Sequence, residues 1–396
     1  MSGNSMLRYL TAGESHGPGL TVIIEGMPAG LPLRAEEIDF WLAERQKGYG
    51  RGGRMSIEKD RARITAGVRS GRTLGSPLAL WVENRDWANW TKIMDPAENS
   101  ASHVKAVSIT RPRPGHADLS GGLKYGLKDL RDVLERASAR ETTVRVGAGA
   151  VAVRLLQELG VEMAAHVVRL GGVALKGDAP AFATVATRPF DSEVRCVDAA
   201  TSARMIKRIK EAKAEGDSLG GVFEIRARGL PPGLGSHVQW DRKADGRLAH
   251  ALMSIQSVKA VEVGLGLPGA DLPGSRVHDE IGWKPAKGRD GYRRFSNHAG
   301  GIEGGMTNGE ELVLRAAMKP IPTLLKPLRS VDMADHKAYR AKYERSDVCT
   351  VPAGAVVGLA VCAFELAAMM LEKFGGDSLD QVKSSLAAYG RELEKR

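Results

Sequence analysis

The sequence predicts a single α+β domain with long loops, and three observations support this class. Short alternating or β-branched segments, typical of strands, are interspersed with segments of helical periodicity along the whole chain. No internal repeat and no shift in composition marks a boundary within the 396 residues, so we expect one domain over residues 1–396. The stretches between the predicted elements are rich in glycine, which lets a backbone approach a ligand closely.

The charge balance indicates an anionic partner, since 57 Lys and Arg against 47 Asp and Glu give a formal net charge of +10. The three cysteines include no CxxC pair, which argues against a disulfide framework and is typical of a reducing compartment. No signal-peptide pattern opens the chain, so we expect a soluble, cytoplasmic protein. The longest uncharged run, residues 348–364, is shorter than a membrane span, and we interpret it as a buried loop and helix.

Two predicted strands, at residues 6–12 and 20–25, flank the glycine-rich turn GESHGPG at residues 13–19. The turn matches G-x-S-x-G with Ser15 in the nucleophile position, but that motif requires a helix directly after the serine. A proline and a β-branched run follow instead, which favours a hairpin and argues against a serine hydrolase. His16 is then the candidate functional residue of the turn, and a histidine that merely caps the turn is the alternative.

A helix predicted over residues 33–45 leads into the basic, glycine-rich loop KGYGRGGR at residues 47–54. Its backbone amides and the guanidinium groups of Arg45 and Arg51 are suited to wrap an anion. A flexible, solubilising loop is the alternative, and the P-loop motif for nucleotide phosphates is absent.

Predicted strands over residues 62–68 and 78–83 and a tryptophan-bearing loop precede RPRPGHAD, at residues 111–118. Two prolines there fix an extended backbone, so His116 is presented rigidly. Asp118 can orient its imidazole, and the pair is either a second functional site or a turn hydrogen bond. Because further ligands at suitable spacing are lacking, we expect no metal site.

The segment LERASARETTVRVGAG, residues 134–149, is predicted to form a helix with surplus positive charge. Arg136 and Arg140 are four residues apart and would repel each other on one helix face. Asp132 can pair with Arg136, whereas Arg140 has no acid at helical spacing. The arginines either face an external anion or belong to a solvated helix with ion pairs. The glycines that follow favour close helix packing over a dinucleotide-binding loop.

The second half of the chain continues the same pattern of elements. We predict helices over residues 198–215 and 247–258, and strands over residues 221–230, 259–265 and 311–318. Glycines in SNHAGGIEGGMTNGE, residues 296–310, let the backbone approach a flat or phosphorylated ligand. KPIPT, residues 319–323, follows the last predicted strand, and Asp347 lies just before an apolar helix.

Taken in series, eight segments resemble the chorismate synthase family over essentially the whole chain: GESHG, GYGRGGRM, RPRPGHAD, LERASARET, MSIQSVKAVEVG, GGIEGGMTNG, KPIPT and RSDVC. The resemblance implies a lyase that needs reduced FMN. Its reaction would be the 1,4-anti elimination of phosphate from 5-enolpyruvylshikimate 3-phosphate, giving chorismate without net redox change, the last common step of aromatic amino-acid biosynthesis. It also implies a homotetramer whose subunit is a β-α-β sandwich, with helices packed between antiparallel sheets.

The resemblance also implies residue roles. His16 would protonate or hydrogen-bond the departing phosphate, His116 would lie by the pyrimidine side of the flavin, and Asp347 would work with the flavin to remove the ring proton. Substrate contacts carry over onto Ser15, Arg45, Arg51, Ser138, Arg140 and Arg345. FMN contacts carry over onto Arg136, Ala137, Ser138, Gln256, Ser257, Gly304, Lys319, Pro320, Ile321, Pro322, Thr323 and Arg345, and NADP contacts onto Arg45 and Arg51. Pro322 departs from the Ser or Thr common in the family and offers no hydroxyl or amide donor.

Two other functions fit parts of the sequence. An FMN-dependent oxidoreductase on a phosphorylated or carboxylated small molecule would use the same loops, with NADPH as a candidate reductant in either case. Arginines matched to the three anionic groups of the substrate favour the lyase. A nucleic-acid-binding protein would explain the charge, but seven Phe, seven Tyr and six Trp are few and not interleaved with the basic clusters. We therefore expect no nucleic acid and no membrane as a partner.

Overall fold

The computed structural model of the chain describes residues 7–52, 59–97, 108–284, 291–341 and 347–396. The helices in these ranges are α1 (Ala35–Gln46), α2 (Asp118–Tyr125), α3 (Arg131–Ala137), α4 (Thr142–Glu158), α5 (Phe182–Thr187), α6 (Ala199–Ala214), α7 (Ala244–Met253), α8 (Val351–Phe374) and α9 (Leu379–Leu393). The strands are β1 (Arg8–Ala12), β2 (Gly19–Glu25), β3 (Ala62–Ala66), β4 (Val68–Arg69), β5 (Arg72–Thr73), β6 (Leu78–Glu83), β7 (Glu162–Leu170), β8 (Val173–Ala174), β9 (Gly221–Arg228), β10 (Val258–Val263), β11 (Ile281–Trp283), β12 (Tyr292–Arg294), β13 (Ile302–Glu303), β14 (Met306–Thr307), β15 (Leu312–Met318), β16 (Arg329–Val331) and β17 (Ala338–Arg340).

A four-stranded antiparallel sheet, with strand order β1-β2-β6-β3, contains the first predicted strands. In β2 the side chains of Leu20, Val22 and Ile24 are buried, so one face of the sheet is covered. The glycine-rich turn with Ser15 joins β1 to β2 as a hairpin, and no helix follows the serine directly. The hairpin prediction is thus confirmed.

A five-stranded antiparallel sheet, with order β10-β15-β9-β7-β8, forms from the second half of the chain. Burial alternates strictly along β15, as expected for a strand with one covered face. Phe223 and Ile225 of β9 point from this sheet toward α8, because a Cβ added to Gly358 would lie 2.4 Å from the ring of Phe223 and 2.9 Å from Ile225.

Helices α4 and α8 pack against each other, α4 also contacts β2 and β6, and α8 contacts β7 and β9. Small residues permit this close approach. A Cβ added to Gly149 of α4 would lie 2.5 Å from the Cα and from the carbonyl oxygen of Ala360 of α8. The close helix packing predicted for this glycine-rich stretch is therefore confirmed. Both helices contribute side chains to the main hydrophobic core.

The helix α8 is longer than the uncharged run from which it was predicted. It continues past Glu365 to Phe374, and its 24 residues are long and apolar enough to cross a membrane. The uncharged run is therefore only part of this helix, and the interpretation of residues 348–364 as a buried loop and helix is confirmed. Within the protein, 94% of the most apolar 18-residue stretch of α8 is buried, and Glu365 forms an ion pair with Arg247 at 3.2 Å. These contacts are those of a core helix.

The predicted helix over residues 134–149 is wrong as a single element. The helix is interrupted at Ser138, whose backbone is extended (φ −62°, ψ 144°). As a result α3 ends at Ala137, and α4 begins at Thr142 after a short 3₁₀ turn. The Ser138 hydroxyl accepts a hydrogen bond from the N–H of Arg140 at 3.2 Å, as an N-capping serine does. Arg136 and Arg140 therefore do not share a helix face. We call residues 138–142 the Ser138 turn.

We expect Gly149→Ala to lower the free energy of unfolding by about 1–3 kcal/mol, because the new methyl group would overlap the backbone of Ala360 and push the helices apart. Gly147→Ala is the matched control. A Cβ there would meet Leu80 at 3.4 Å, an ordinary contact, and alanine favours a helix over glycine by about 1 kcal/mol. Urea and thermal unfolding of both variants measure the difference. Equal stability of the two would contradict the close packing of α4 on α8.

Candidate active site

His16 lies against a buried carboxylate. The turn after β1 brings its ring next to Glu135 of α3, whose side chain is 1% exposed. Nδ1 of His16 is 2.9 Å from Oε1 and 3.0 Å from Oε2 of Glu135, and the backbone N–H of His16 donates to Oε2 at 2.8 Å. The ring stacks on Trp90, with centroids 3.9 Å apart and an angle of 29° between the planes. The imidazole is thus fixed at one edge and on one face.

The rest of the turn is anchored to the same region. The N–H of Ser15 donates to the backbone carbonyl of Glu135 at 3.1 Å, and its Oγ donates to Oγ of Ser138 at 3.1 Å. The buried amide of Asn84 donates to two carbonyl groups of the turn at 3.2 and 2.7 Å. Three of the residues predicted for the site, Ser15, His16 and Ser138, are therefore neighbours.

Arg45 and Arg140 share one buried carboxylate. Asp60, whose side chain is fully buried, lies 2.5 Å from Arg140 and 3.4 Å from Arg45. Arg45 also donates to the carbonyl of Ala139 at 2.8 Å, and Arg140 donates to the side chain of Asn84 at 2.9 Å. Burial lowers the pKa of Arg45 to about 9, against the opposing effect of Asp60, so Arg45 is charged at neutral pH. These three side chains have a net positive charge and suit an anion.

Asp347 is held at the basic loop that follows α1. Its Oδ2 lies 3.1 Å from the guanidinium of Arg51, and its Oδ1 accepts the N–H of Gly52 at 2.5 Å. Both Asp347 and Arg51 exert an electrostatic effect on Arg45, so this pair borders the Arg45–Asp60 cluster. Burial raises the pKa of the neighbouring Cys349 to about 12, which keeps its thiol neutral. Asp347 is thus fixed beside Arg51 by an ion pair and a backbone hydrogen bond.

His116 makes a second histidine–carboxylate pair. Its Nδ1 is 2.6 Å from Oδ1 of Asp118, whose other oxygen accepts a hydrogen bond from Nε of Arg113 at 2.8 Å. Burial acts to raise the pKa of Asp118, but the hydrogen bonds from His116 and Arg113 outweigh it and bring that pKa well below its usual value. Asp118 orients the imidazole, as the sequence suggested. Across the described ranges, no group of three or more His, Cys, Asp and Glu side chains is arranged to hold a metal ion.

The KPIPT segment, residues 319–323, lies beside the His116 loop. Nζ of Lys319 donates to the carbonyl of Gly115 at 2.5 Å, and a Cβ added to Gly115 would lie 3.6 Å from Cβ of Pro322. The hydroxyl of Ser218 donates to the carbonyl of Ile321 at 2.7 Å. The segment is thus fixed by its backbone, and Pro322 faces the loop that carries His116.

Gln256 and Ser257 connect this segment to the Ser138 turn. The carbonyl of Ser257, a residue with a left-handed φ of 71°, accepts the N–H of Lys319 at 2.9 Å. Nε2 of Gln256 donates to Glu141 at 3.2 Å. Its Oε1 is buried and has no hydrogen-bond partner in the described parts of the chain. An acceptor left in this state fits a ligand that donates a hydrogen bond.

A cavity of about 450 Å³, within the size range of small-molecule sites, is lined by arginines that contact residues of each histidine pair. Its lining includes Arg113, which contacts His116, and Arg131, which lies 3.6 Å from Glu135. It is also lined by Ser108, Ile109, Thr110, Arg111, Leu134, Asp332 and Tyr339. Three arginines against one aspartate give the cavity a positive lining.

The remaining predicted residues are placed less centrally. Arg136 donates to the carbonyl of Thr11 at 2.9 Å and to its hydroxyl at 2.6 Å, so it braces β1. Ala137 is the last residue of α3. Gly304 lies in the turn between β13 and β14, and β14 packs against α7. Arg345 lies outside the described residues.

Four side chains of the site were not predicted from the sequence: Asp60, Asn84, Trp90 and Glu135. Glu135 is the only one with a local signal, since it is an acid within the arginine-rich segment, directly before Arg136. Asp60 supplies the acid that Arg140 lacks at helical spacing, from 80 residues away. The pairing of Asp132 with Arg136 was not the contact that forms, because Arg136 turns toward Thr11.

Comparison with known proteins gives one consistent result. The sequence model of the family described as chorismate synthase matches residues 7–371. The chain is 58% identical to the chorismate synthase of Trichlorobacter lovleyi over 97% of this chain and 98% of that one. It is also 58% identical to the chorismate synthase of Moorella thermoacetica, over 98% and 100% of the two chains. A crystal structure of a chorismate synthase, 44% identical, matches it with a TM-score of 0.80 over 98% of this chain and 99% of that one. The chain belongs to the chorismate synthase family.

Proposed function

We propose that this protein is a lyase that eliminates phosphate from 5-enolpyruvylshikimate 3-phosphate and forms chorismate, in the shikimate pathway, without net redox change. The observation that carries the proposal is the convergence on the Ser138 turn. Ser15 contacts Ser138, Arg45 binds the carbonyl of Ala139, and Arg140 extends from the turn to Asp60. Hydroxyl groups, guanidinium groups and a fixed histidine thus lie around one short segment, next to a cavity with a positive lining.

The arginines suit the anionic groups of such a substrate. It carries a phosphate and two carboxylates, and guanidinium groups bind these groups in bidentate geometry. Arg45 and Arg140 are held rigidly by Asp60, so little side-chain entropy is lost when an anion binds. We assign substrate binding to Ser15, Arg45, Arg51, Ser138, Arg140 and Arg345.

The two histidines and Asp347 suit the proton transfers of the elimination. We propose that His16 donates a proton or hydrogen bond to the departing phosphate and that His116 lies by the cofactor. Each ring is oriented by a carboxylate at Nδ1. Asp347, held by Arg51 and the N–H of Gly52, helps to remove the ring proton.

Reduced FMN fits the segments that converge beside His116. The buried acceptor Oε1 of Gln256 suits the imide N–H of a flavin ring, and Lys319 supplies a cation beside the His116 loop. When bound, the reduced flavin lends electron density that helps phosphate to leave and recovers it as the ring proton departs. We assign flavin contacts to Arg136, Ala137, Ser138, Gln256, Ser257, Gly304, residues 319–323 and Arg345. NADPH, at Arg45 and Arg51, is the proposed reductant where the flavin arrives oxidised.

We further propose a cytoplasmic homotetramer with no nucleic-acid or membrane partner, built from one domain over residues 1–396 with its helices layered between two sheets. The layering is supported by α4 on the four-stranded sheet and α8 on the five-stranded sheet, with one main core between them. Association is supported by the exposed apolar pair Leu10 and Ile23, which are cross-strand neighbours on β1 and β2.

Anaerobic phosphate release from 5-enolpyruvylshikimate 3-phosphate tests the function directly. We expect release only with chemically reduced FMN, and no net consumption of the flavin, because the elimination returns the electron density that it borrows. A further arm with NADPH and oxidised FMN shows whether the protein reduces its own flavin. No release in any flavin state, or flavin oxidation in step with substrate loss, would favour an oxidoreductase instead.

His16→Ala and His116→Ala should each lower kcat on the order of 10²-fold, because a positioned acid contributes at least that much to a proton transfer. Circular dichroism and thermal unfolding should stay near wild type, since both side chains are partly exposed, at 18% and 16%. His250→Ala, at an exposed position on α7, is the control and should leave turnover unchanged. Near wild-type rates in the two active-site variants would remove both histidines from the mechanism.

Asp347→Asn should slow the loss of the ring proton, because the amide retains the shape of the side chain but is not a base. With substrate deuterated at the carbon that loses the proton, the variant should show a larger kinetic isotope effect on chorismate formation than the wild type. Asp335→Asn, an exposed aspartate on the loop before β17, is the control. An unchanged rate and isotope effect at position 347 would show that another group takes the proton.

A further inference from the structure

We propose that Glu135 is a positioning residue, which holds His16 in one tautomer and one ring orientation so that Nε2 is the atom that exchanges a proton at the reacting group. The inference rests on the proposed role of His16. It adds that the carboxylate of Glu135 orients the His16 ring for that role. The motif GESHG contains the acid Glu14, but the carboxylate seen at hydrogen-bond distance from the His16 ring is that of Glu135. The acid comes from α3, 119 residues along the chain.

The carboxylate of Glu135 makes three contacts with this histidine. Its two oxygens lie 2.9 and 3.0 Å from Nδ1, and Oε2 also accepts the backbone N–H of His16 at 2.8 Å. One side chain therefore fixes both the main chain and the ring of the same residue. Because the Glu135 side chain is only 1% exposed, water competes poorly for these bonds.

The contact decides the tautomer. An ionised carboxylate only accepts hydrogen bonds, so Nδ1 must carry the proton that it donates to Glu135. This holds for the neutral ring and for the imidazolium alike. The proton that His16 gains or gives during turnover is then the one at Nε2, in the same way that a buried carboxylate selects the tautomer of a general acid–base histidine.

The ring orientation is fixed from a second direction. Trp90 stacks on the imidazole at 3.9 Å between centroids, and Arg131 lies with Cζ 5.3 Å from the centre of the Trp90 ring. Arg131 also lies 3.6 Å from Oε1 of Glu135. The guanidinium thus supports both the indole and the carboxylate, and a rotation of the imidazole would break the stack and the hydrogen bonds together.

The change Glu135→Gln isolates this role. The backbone carbonyl that receives the N–H of Ser15 is retained, and so is the volume of the buried side chain. The amide can donate to Nδ1 as well as accept from it, so the other tautomer becomes available to His16. We expect kcat to fall by about 10- to 100-fold, the range typical for loss of a carboxylate that orients a histidine, with KM for substrate changed less than about threefold.

A double-mutant cycle separates positioning from structural damage. If Glu135 acts through His16, then Glu135→Gln combined with His16→Ala should be no slower than His16→Ala alone. If Glu135 merely stabilises the fold, the two losses should multiply. Multiplicative losses, or a Glu135→Gln variant with wild-type kcat, would overturn the inference.

The His166–Glu224 pair gives a matched control. It is another buried histidine–glutamate hydrogen bond, at 3.0 Å with side chains 0% and 3% exposed, within the five-stranded sheet. Glu224→Gln makes the same chemical change there and should leave kcat and KM as they are while lowering the melting temperature. An equal loss of kcat in this control would mean that Glu135→Gln acts through general destabilisation, which would also overturn the inference.

The same variants distinguish a failure of the proposed role of His16 from a failure of the proposed role of Glu135. Normal turnover in His16→Ala would remove His16 from the mechanism and, with it, the reason for positioning it. Slow turnover in His16→Ala together with normal turnover in Glu135→Gln would keep His16 as the acid and reject Glu135 alone. The four variants therefore decide the two questions independently.

Discussion

The buried carboxylate of Asp60 is the constraint on which the site depends. Two guanidinium groups cannot be held away from water without a compensating charge, and Asp60 supplies it to Arg45 and Arg140 together. Arg45 lies in the last turn of α1, Asp60 lies two residues before β3, and Arg140 belongs to the Ser138 turn. One ion cluster thus joins a helix, the edge of a sheet and the turn, and leaves positive charge for an anion.

The break at Ser138 separates function from packing within one sequence segment. Before it, α3 directs Glu135 toward His16; after it, α4 runs into the core and packs against α8 through Gly149. An unbroken helix would place the two arginines on one face, where they repel. Because the chain turns instead, Arg136 braces β1 while Arg140 reaches Asp60.

The two histidines are held by the same kind of contact. Each Nδ1 meets a buried carboxylate, and each carboxylate is also supported by an arginine, Arg131 for Glu135 and Arg113 for Asp118. The arginines belong to the cavity lining as well. The same two arginines therefore contact the cavity and the carboxylates that orient the rings.

The sequence by itself determined several of the elements and part of the set of residues that the site uses. Alternation and turn chemistry predicted β1, β2, β6, β9 and β15, the glycines predicted close helix packing along α4, and Asp118 was recognised as able to orient His116 from two residues away. Only the tertiary structure decided which charges meet. Asp60 reaches Arg140 across 80 residues and Glu135 reaches His16 across 119, and no local periodicity encodes such contacts. They form because an unpaired buried charge costs free energy, so each one is stable only where the fold places an opposite charge beside it. The packing that does this depends on the whole chain.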